Sequence, residues 1–124
     1  MLATSYSRVV HLRTDDSHRL QRTRCELVAV LHGFELTADS YADTGMSRGE
    51  FLRLLDDGRA GKFDVVIVDR ASRLPKALDP IGRLAQAGLQ LVTEDGVDQT
   101  VPAAQRYAEQ VQQAADATGT LRLV

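Results

Sequence analysis

The feature that most constrains the fold is a short apolar run near the middle of the chain, residues 63–68. It ends in four consecutive β-branched residues, Val65 to Val68, which favour extended backbone. A strand without polar alternation is buried on both faces, as in a parallel sheet covered by helices. Because parallel strands need long crossover connections, the run predicts a chain that alternates strands with helices.

The remaining sequence carries the same alternation of strand and helix signals. Other strands are predicted at residues 4–10, 34–41 and 89–93. Helices are predicted after the N-cap candidates Thr14, Asp15, Asp16 and Ser17 up to Gly33, over 49–59 and over 76–87. The pattern predicts an α/β, three-layer domain with a mostly parallel sheet of four or five strands flanked by helices.

Each predicted helix has an apolar stripe that we expect to pack on the sheet. The first stripe is Leu20, Leu27, Val30 and Leu31; the second is Phe51, Leu54 and Leu55; the third is Leu78, Ile81, Leu84 and Ala85. A C-terminal helix over 101–117 is predicted from a cap at Thr100, from Pro102 in its first turn, and from the stripe Ala104, Tyr107, Ala108, Val111 and Ala115.

Length and composition limit the functional classes. A chain of 124 residues fits one domain over 1–124. It has no apolar stretch of about 18 residues and no signal peptide, so we expect no membrane segment and a cytoplasmic location. Cys25 is the only cysteine and is expected to be buried. Because the three histidines lack metal-ligand spacing, we predict neither a metal nor another cofactor.

The basic residues are unusual in kind rather than in number. The net charge is −2, which argues against strong nonspecific DNA binding by this chain alone. However, thirteen of the fifteen basic residues are arginines. A guanidinium group presents a planar fork that binds two phosphate oxygens at once.

Several of these arginines fall where predicted strands end. Ligands of open α/β sheets bind beyond the carboxyl ends of the strands, where Val10 and Asp69 are expected. Arg8 shares a strand face with Val10. If the two strands are neighbours, Arg8 can converge with the residues around Asp69, namely Arg70 and Arg73, and Arg48 can approach from the loop after the second strand. Such a cluster suits the stabilisation of a phosphoryl group during transfer.

The order of these motifs resembles the catalytic domain of the serine recombinases, the resolvases and invertases. The motifs are Tyr-x-Arg-Val, Asp-x-Gly-x-Ser, Arg-x-Glu-Phe-x-x-Leu-Leu, Gly-Lys-Phe-Asp and Asp-Arg-x-Ser-Arg, and the match is strongest over 5–100. The resemblance implies site-specific recombination of DNA, with a scissile phosphate surrounded by Arg8, Arg48, Arg70 and Arg73. It also implies that Asp69 supports these arginines and that Ser47 belongs to the active-site loop.

Three departures from the family pattern bear on activity. Val10 occupies the position of the serine that attacks DNA, and valine has no nucleophilic atom. The loop between Ser47 and Arg48 is short and lacks the glycine that commonly follows the serine. We also expect no DNA-binding domain, since no helix-turn-helix or zinc-ribbon pattern follows, and the last predicted helix is shorter than the family's dimerisation helix.

Three interpretations follow from the sequence. The leading one is a catalytically impaired pseudo-recombinase that keeps an arginine pocket, binds DNA weakly, and forms homo-oligomers or pairs with an active recombinase. A second keeps strand cleavage through a displaced hydroxyl or through activated water held by the arginines. Ser7 is one candidate hydroxyl, although it faces the other side of the sheet from Val10, and Thr14 in the following loop is another. A third has no role with DNA: the pocket holds a small phosphorylated ligand or is vestigial, and the protein acts as a dimerising interaction module.

Overall fold

A computed structural model of the protein describes residues 1–10, 17–96, 100, 109 and 112–113. The elements, in chain order, are β1 (Leu2–Val9), α1 (His18–His32), β2 (Glu35–Leu36), β3 (Tyr41–Thr44), α2 (Gly49–Arg59), β4 (Val65–Ile67), α3 (Pro80–Gln86) and β5 (Gln90–Val92). Two short 3-10 turns, Ala71–Arg73 and Lys76–Leu78, lie between β4 and α3.

The strands form one sheet with β1 near its centre. The order is β2-β1-β4-β5, and β3 also pairs with β1. Every pairing among the described strands is parallel. The prediction of an α/β fold with a mostly parallel sheet of four or five strands is therefore confirmed. The carboxyl ends of β1 and β4 are neighbours, as a shared site at those ends requires.

The strand predicted over 34–41 was wrong as a single element. It is divided into β2 and β3, and both pair with β1. Between its pairings with β2 and β3, β1 advances four residues, from Leu2 to Tyr6, whereas the paired segment advances six, from Glu35 to Tyr41. The segment between β2 and β3 therefore bulges. The bulge is held by the Thr4 hydroxyl, which donates to the carbonyl of Asp39 at 3.1 Å.

Helices cover both faces of the sheet and produce the predicted three layers. On one face, α1 packs Cys25, Val28 and Ala29 against Ala3, Val65, Ile67 and Val92. On the other face, α2 and α3 pack Phe51, Leu54, Leu55 and Leu84 against Tyr6, Val66, Val68 and Leu91. The run Val65 to Val68 is completely buried, as its sequence predicted.

The buried face of α1 was predicted wrongly. The helix begins after Ser17, whose side chain accepts from the N–H of Leu20, and ends at Gly33, as expected. However, the predicted stripe is exposed, by 36% at Leu20, 60% at Leu27, 78% at Val30 and 81% at Leu31. The buried residues are instead Gln21, Cys25, Val28 and Ala29, which have equally helical spacing.

Gln21 explains this orientation of α1. Its side-chain amide accepts from the N–H of Arg8 and donates to the carbonyl of Arg8, both at 2.9 Å. A buried amide needs such partners, because an unpaired one costs about 1–3 kcal/mol. Small side chains at Cys25 and Ala29 then allow the helix to approach the sheet closely.

The helix predicted over 76–87 is interrupted. Its first part is the 3-10 turn Lys76–Leu78, and α3 begins only at Pro80. Proline lacks an N–H and disfavours helical backbone in the residue before it, and Asp79 accordingly has φ +48°. Leu84 is buried, and Leu78 and Ile81 are partly buried against the same core, as predicted. The α2 helix matches its predicted bounds and buries its predicted stripe.

Some predictions fall on residues outside those described, namely the cap candidates Thr14, Asp15 and Asp16 and most of the helix over 101–117. Thr100 is described, and its buried hydroxyl accepts from the N–H of Leu91 at 3.4 Å. Within the described ranges, no helix has both the length and the apolar character that crossing a bilayer requires.

Candidate functional site

Asp69 organises the carboxyl end of β4. Its carboxylate is buried and accepts hydrogen bonds from Nε and Nη2 of Arg73, at 2.9 and 3.1 Å. Nη1 of Arg24, on α1, donates to the same carboxylate at 3.1 Å. The backbone N–H of Arg70 completes the set at 2.8 Å. The buried carboxylate therefore holds two guanidinium groups through charge-assisted hydrogen bonds, which are stronger than neutral ones.

Arg24 is the member of this cluster that the sequence reasoning missed. It lies on α1, 45 residues before Asp69, so no local motif links the two. The apolar stripe of α1 gave no useful signal, because Leu20, Leu27 and Leu31 are exposed. Only the way α1 lies across the sheet brings the guanidinium of Arg24 to Asp69.

Arg8 lies on the other side of the sheet from Asp69. Tyr6, two residues earlier on β1, packs edge-on against Phe51 of α2, and alternation places Arg8 on that same face. Its Nη2 donates to the carbonyl of Gly45 at 3.2 Å, whereas its buried Nη1 has no hydrogen-bond partner among the described residues. The predicted convergence of Arg8 with Asp69 and Arg73 is therefore not seen as direct contact.

The remaining predicted site residues surround the same sheet edge. Arg48 is the half-exposed residue before α2, and Arg70 is exposed after β4. Neither of these side chains forms a hydrogen bond or ion pair with a described residue. Ser47 donates its hydroxyl to Asp43 at 3.1 Å. Val10 follows β1 directly, and 51% of it is exposed, so an aliphatic side chain stands where the site is accessible.

A second polar arrangement lies on the α1 face of this edge. Ser7 Oγ is 2.6 Å from Nδ1 of His18, and Nε2 of His18 is 3.0 Å from Oγ1 of Thr44. The three residues belong to β1, α1 and β3 respectively. Ser7 faces α1, on the opposite side of β1 from Arg8. Ser7 was a candidate from the sequence, whereas His18 and Thr44 were not.

Cys25 lies next to the Asp69 cluster, but its thiol is unreactive. Burial raises the pKa of its thiol to about 12, and the negative charge of Asp69 adds to the effect. The thiolate is the reactive form of cysteine, so a thiol with this pKa is unreactive at physiological pH. Cys25 is the buried core residue that the sequence predicted.

Asp43 connects the site to the start of α2. Its buried carboxylate accepts from the hydroxyls of Tyr6 and Ser47, at 2.9 and 3.1 Å. It also accepts from the backbone N–H groups of Glu50 and Phe51, at 3.1 and 3.0 Å. Burial and the Asp43 carboxylate raise the pKa of the Tyr6 hydroxyl, which therefore remains a donor. Asp43 thus caps α2 and holds the loop that carries Ser47 and Arg48.

We expect Asp43→Ala to lower the free energy of unfolding by about 3 kcal/mol, because it removes a helix cap and leaves the buried Tyr6 hydroxyl without its acceptor. Urea denaturation followed by circular dichroism measures the change. Asp56→Ala is the matched control, since that exposed side chain pairs with exposed Arg59. Its expected change is below about 0.5 kcal/mol. Equal effects of the two substitutions would contradict the capping role of Asp43.

An open groove of about 440 Å³ lies between the turn Ala71–Arg73 and the start of α3. Its lining is mostly apolar, with Leu74, Pro80 and Ile81 among the lining residues. Lys76 and Asp79 place opposite charges at the groove, so it is poorly suited to a phosphate. The arginine cluster is therefore the better candidate for an anionic ligand.

Comparison with known proteins gives a consistent result. A family model described as the resolvase N-terminal domain matches residues 3–119. The N-terminal catalytic domain of TP901-1 integrase is similar, with a TM-score of 0.68 and 19% identity over 98% of this chain and 99% of that one. The C-terminal catalytic domain of ISC1926 TnpA, an IS607-like serine recombinase, has a TM-score of 0.65 and 15% identity, covering 98% and 86%. At these identities the two structures establish a shared fold. No curated protein sequence matches significantly.

Proposed function

The chain belongs to the serine recombinase family through its resolvase N-terminal domain, and we propose that it binds the DNA backbone at an arginine centre without the family's serine-linked strand cleavage. The arginine centre comprises Arg24, Arg70 and Arg73 around Asp69, together with Arg8 on the other face of β1 and Arg48 at the start of α2. The observation that carries the proposal is the buried Asp69 carboxylate, which fixes the guanidinium groups of Arg24 and Arg73 at the carboxyl end of β4.

The donors of this cluster suit a phosphate. Two guanidinium groups, those of Arg24 and Arg73, meet at the Asp69 carboxylate. Arg70 adds a third guanidinium, exposed and without an ion-pair partner among the described residues. Phosphodiester oxygens match the donor forks of arginine, and anchored guanidinium groups lose less entropy on binding than mobile ones.

Position 10 cannot supply covalent chemistry. The family's phosphoseryl link requires a hydroxyl there, and the side chain of Val10 contains only carbon and hydrogen. Because 51% of Val10 is exposed, a phosphodiester bound at this end of β1 would meet a side chain that cannot attack it. We therefore propose that the protein is a pseudo-recombinase, which binds DNA but cannot form the covalent link at position 10.

The overall charge supports weak binding and a partner. With a net charge of −2, the chain gains little from nonspecific attraction to DNA. We propose that a second copy or an active recombinase supplies further DNA contacts in a shared complex. The proposal predicts low affinity for the isolated chain and stronger retention on DNA when the partner is present.

The test of the proposed function is the binding of a labelled DNA duplex at low salt, followed by fluorescence anisotropy. Arg70→Ala is expected to weaken binding about fivefold, which corresponds to roughly 1 kcal/mol for one exposed phosphate contact. Arg83→Ala, which removes an exposed arginine on α3, is the matched control and is expected to bind like the native protein. Equal weakening by the two substitutions, or no binding at all, would contradict the proposal.

A further inference from the structure

The arrangement Ser7–His18–Thr44 has the geometry of an activated hydroxyl. Its two heavy-atom separations, 2.6 Å at Nδ1 and 3.0 Å at Nε2 of His18, are both within hydrogen-bond distance. Solvent exposure increases along the three residues, since Ser7 is buried, His18 is half-buried and Thr44 is exposed. An accessible hydroxyl therefore stands at one end and a buried one at the other.

We propose that Thr44 is the nucleophile of a residual phosphoryl transfer, with His18 as its general base and Ser7 as a positioning residue. The inference rests on the proposed function, because the arginine centre must hold the phosphodiester that Thr44 attacks. It assigns catalytic roles to His18, which is outside the recombinase motifs, and to Thr44, which is a variable position of the motif Asp-x-Gly-x-Ser. The expected substrate class is a DNA phosphodiester.

The tautomer of His18 decides the roles of the two hydroxyls. With the proton on Nδ1, the ring donates to Ser7 Oγ, and the free Nε2 accepts from the hydroxyl of Thr44. Only the Thr44 hydroxyl is open to a substrate, because Ser7 lies under α1. A nucleophile, a base within about 3.2 Å and a third group that orients the base are the three parts of an activated nucleophile.

Strand register places the Thr44 hydroxyl on the same face of the sheet as the Asp69 cluster. Thr44 pairs with Val9, whose side chain is on the same face of β1 as Ser7 and therefore faces α1. Asp69 also faces α1, because Arg24 of that helix donates to its carboxylate. The phosphodiester is therefore expected between the Thr44 hydroxyl and the guanidinium groups held by Asp69.

The proposed step is balanced without any co-reactant. Oγ1 of Thr44 forms a bond to phosphorus as its proton moves to Nε2 of His18. The bond between phosphorus and the deoxyribose oxygen breaks, and the departing oxygen takes a proton from water. The products are a phosphothreonyl ester at Thr44 and a free sugar hydroxyl, and His18 then returns its extra proton to solvent.

The test uses the full-length chain and an activated phosphodiester, the para-nitrophenyl ester of thymidine monophosphate, at saturating concentration. Native protein is expected to release nitrophenolate up to one equivalent, with the nucleotide adduct mapped to Thr44 by peptide mass spectrometry. Thr44→Val should abolish the adduct, and His18→Gln should slow it by about 10²-fold or more. Thr23→Val is the matched control, since its exposed hydroxyl donates to the carbonyl of Arg19 in its own helix.

Ser7 is tested by rescue. Ser7→Ala is expected to slow adduct formation about tenfold through loss of ring orientation, and Ser7→Thr, which keeps the hydroxyl, should restore most of the rate. Duplex binding is measured for every variant. Native protein that binds DNA yet forms no adduct, or forms it at another residue, overturns the inference and leaves the proposed function intact. Absence of duplex binding overturns both.

Discussion

Val10→Ser is expected to make the domain form a covalent link to DNA through position 10. The substitution restores a hydroxyl at the carboxyl end of β1, beside Arg8, and the exposed site accommodates the smaller side chain at little cost in stability. On nicked duplexes that trap the cleaved strand, adducts visible on a denaturing gel should form about 10²-fold faster than with native protein, which is the effect of one positioned catalytic group.

The comparison is sharpest in a Thr44→Val background, where any adduct must come from another hydroxyl. Val30→Ser is the matched control, because it replaces another exposed valine, on α1, and should form no adduct above the background. Adding Arg70→Ala to Val10→Ser should remove most of the gain. A Val10→Ser protein that binds DNA but forms no adduct would contradict an intact arginine centre.

Asp69→Asn is expected to lower the free energy of unfolding by about 3 kcal/mol. The change keeps the shape of the side chain but removes the buried negative charge. The guanidinium groups of Arg24 and Arg73, both largely buried, then lose the negative charge of Asp69. Urea denaturation at neutral pH measures the loss.

Asp56→Asn provides the matched comparison for Asp69→Asn. Asp56 pairs with Arg59 at 3.2 Å, but both side chains are largely exposed, and such pairs contribute at most about 1 kcal/mol. Adding Arg24→Gln to Asp69→Asn should cost less than the sum of the single changes, because the two residues share one interaction. A loss below about 0.5 kcal/mol for Asp69→Asn would show that the cluster does not support the fold.

Strong local patterns predicted the fold well. The β-branched run at 65–68 correctly predicted a buried parallel strand, and the spacing of Phe51, Leu54 and Leu55 correctly predicted α2 and its buried face. The orientation of α1 was not predictable in the same way, because two of its faces have helical spacing. The face with the smaller side chains packs on the sheet, because Gln21 on that face forms hydrogen bonds with the backbone of Arg8.

In the candidate site, too, contacts between residues close in sequence could be predicted, whereas contacts between distant residues could not. Asp69 and Arg73 are four residues apart in one motif, and their ion pair could be anticipated from the sequence. Arg24 joins them from 45 residues away, and His18 and Thr44 meet across α1 and β3. Nothing in a local motif encodes such contacts, because they depend on how α1 lies across the sheet.

The measurement that tests the central claim most directly is the salt dependence of DNA affinity for native protein, Arg70→Ala and Arg83→Ala. Each phosphate contact contributes close to one unit to the slope of log affinity against log salt concentration, because binding releases counterions. We predict that Arg70→Ala lowers the slope by about one and that Arg83→Ala leaves it unchanged. Identical slopes for all three proteins would show that the arginine centre does not hold DNA phosphates.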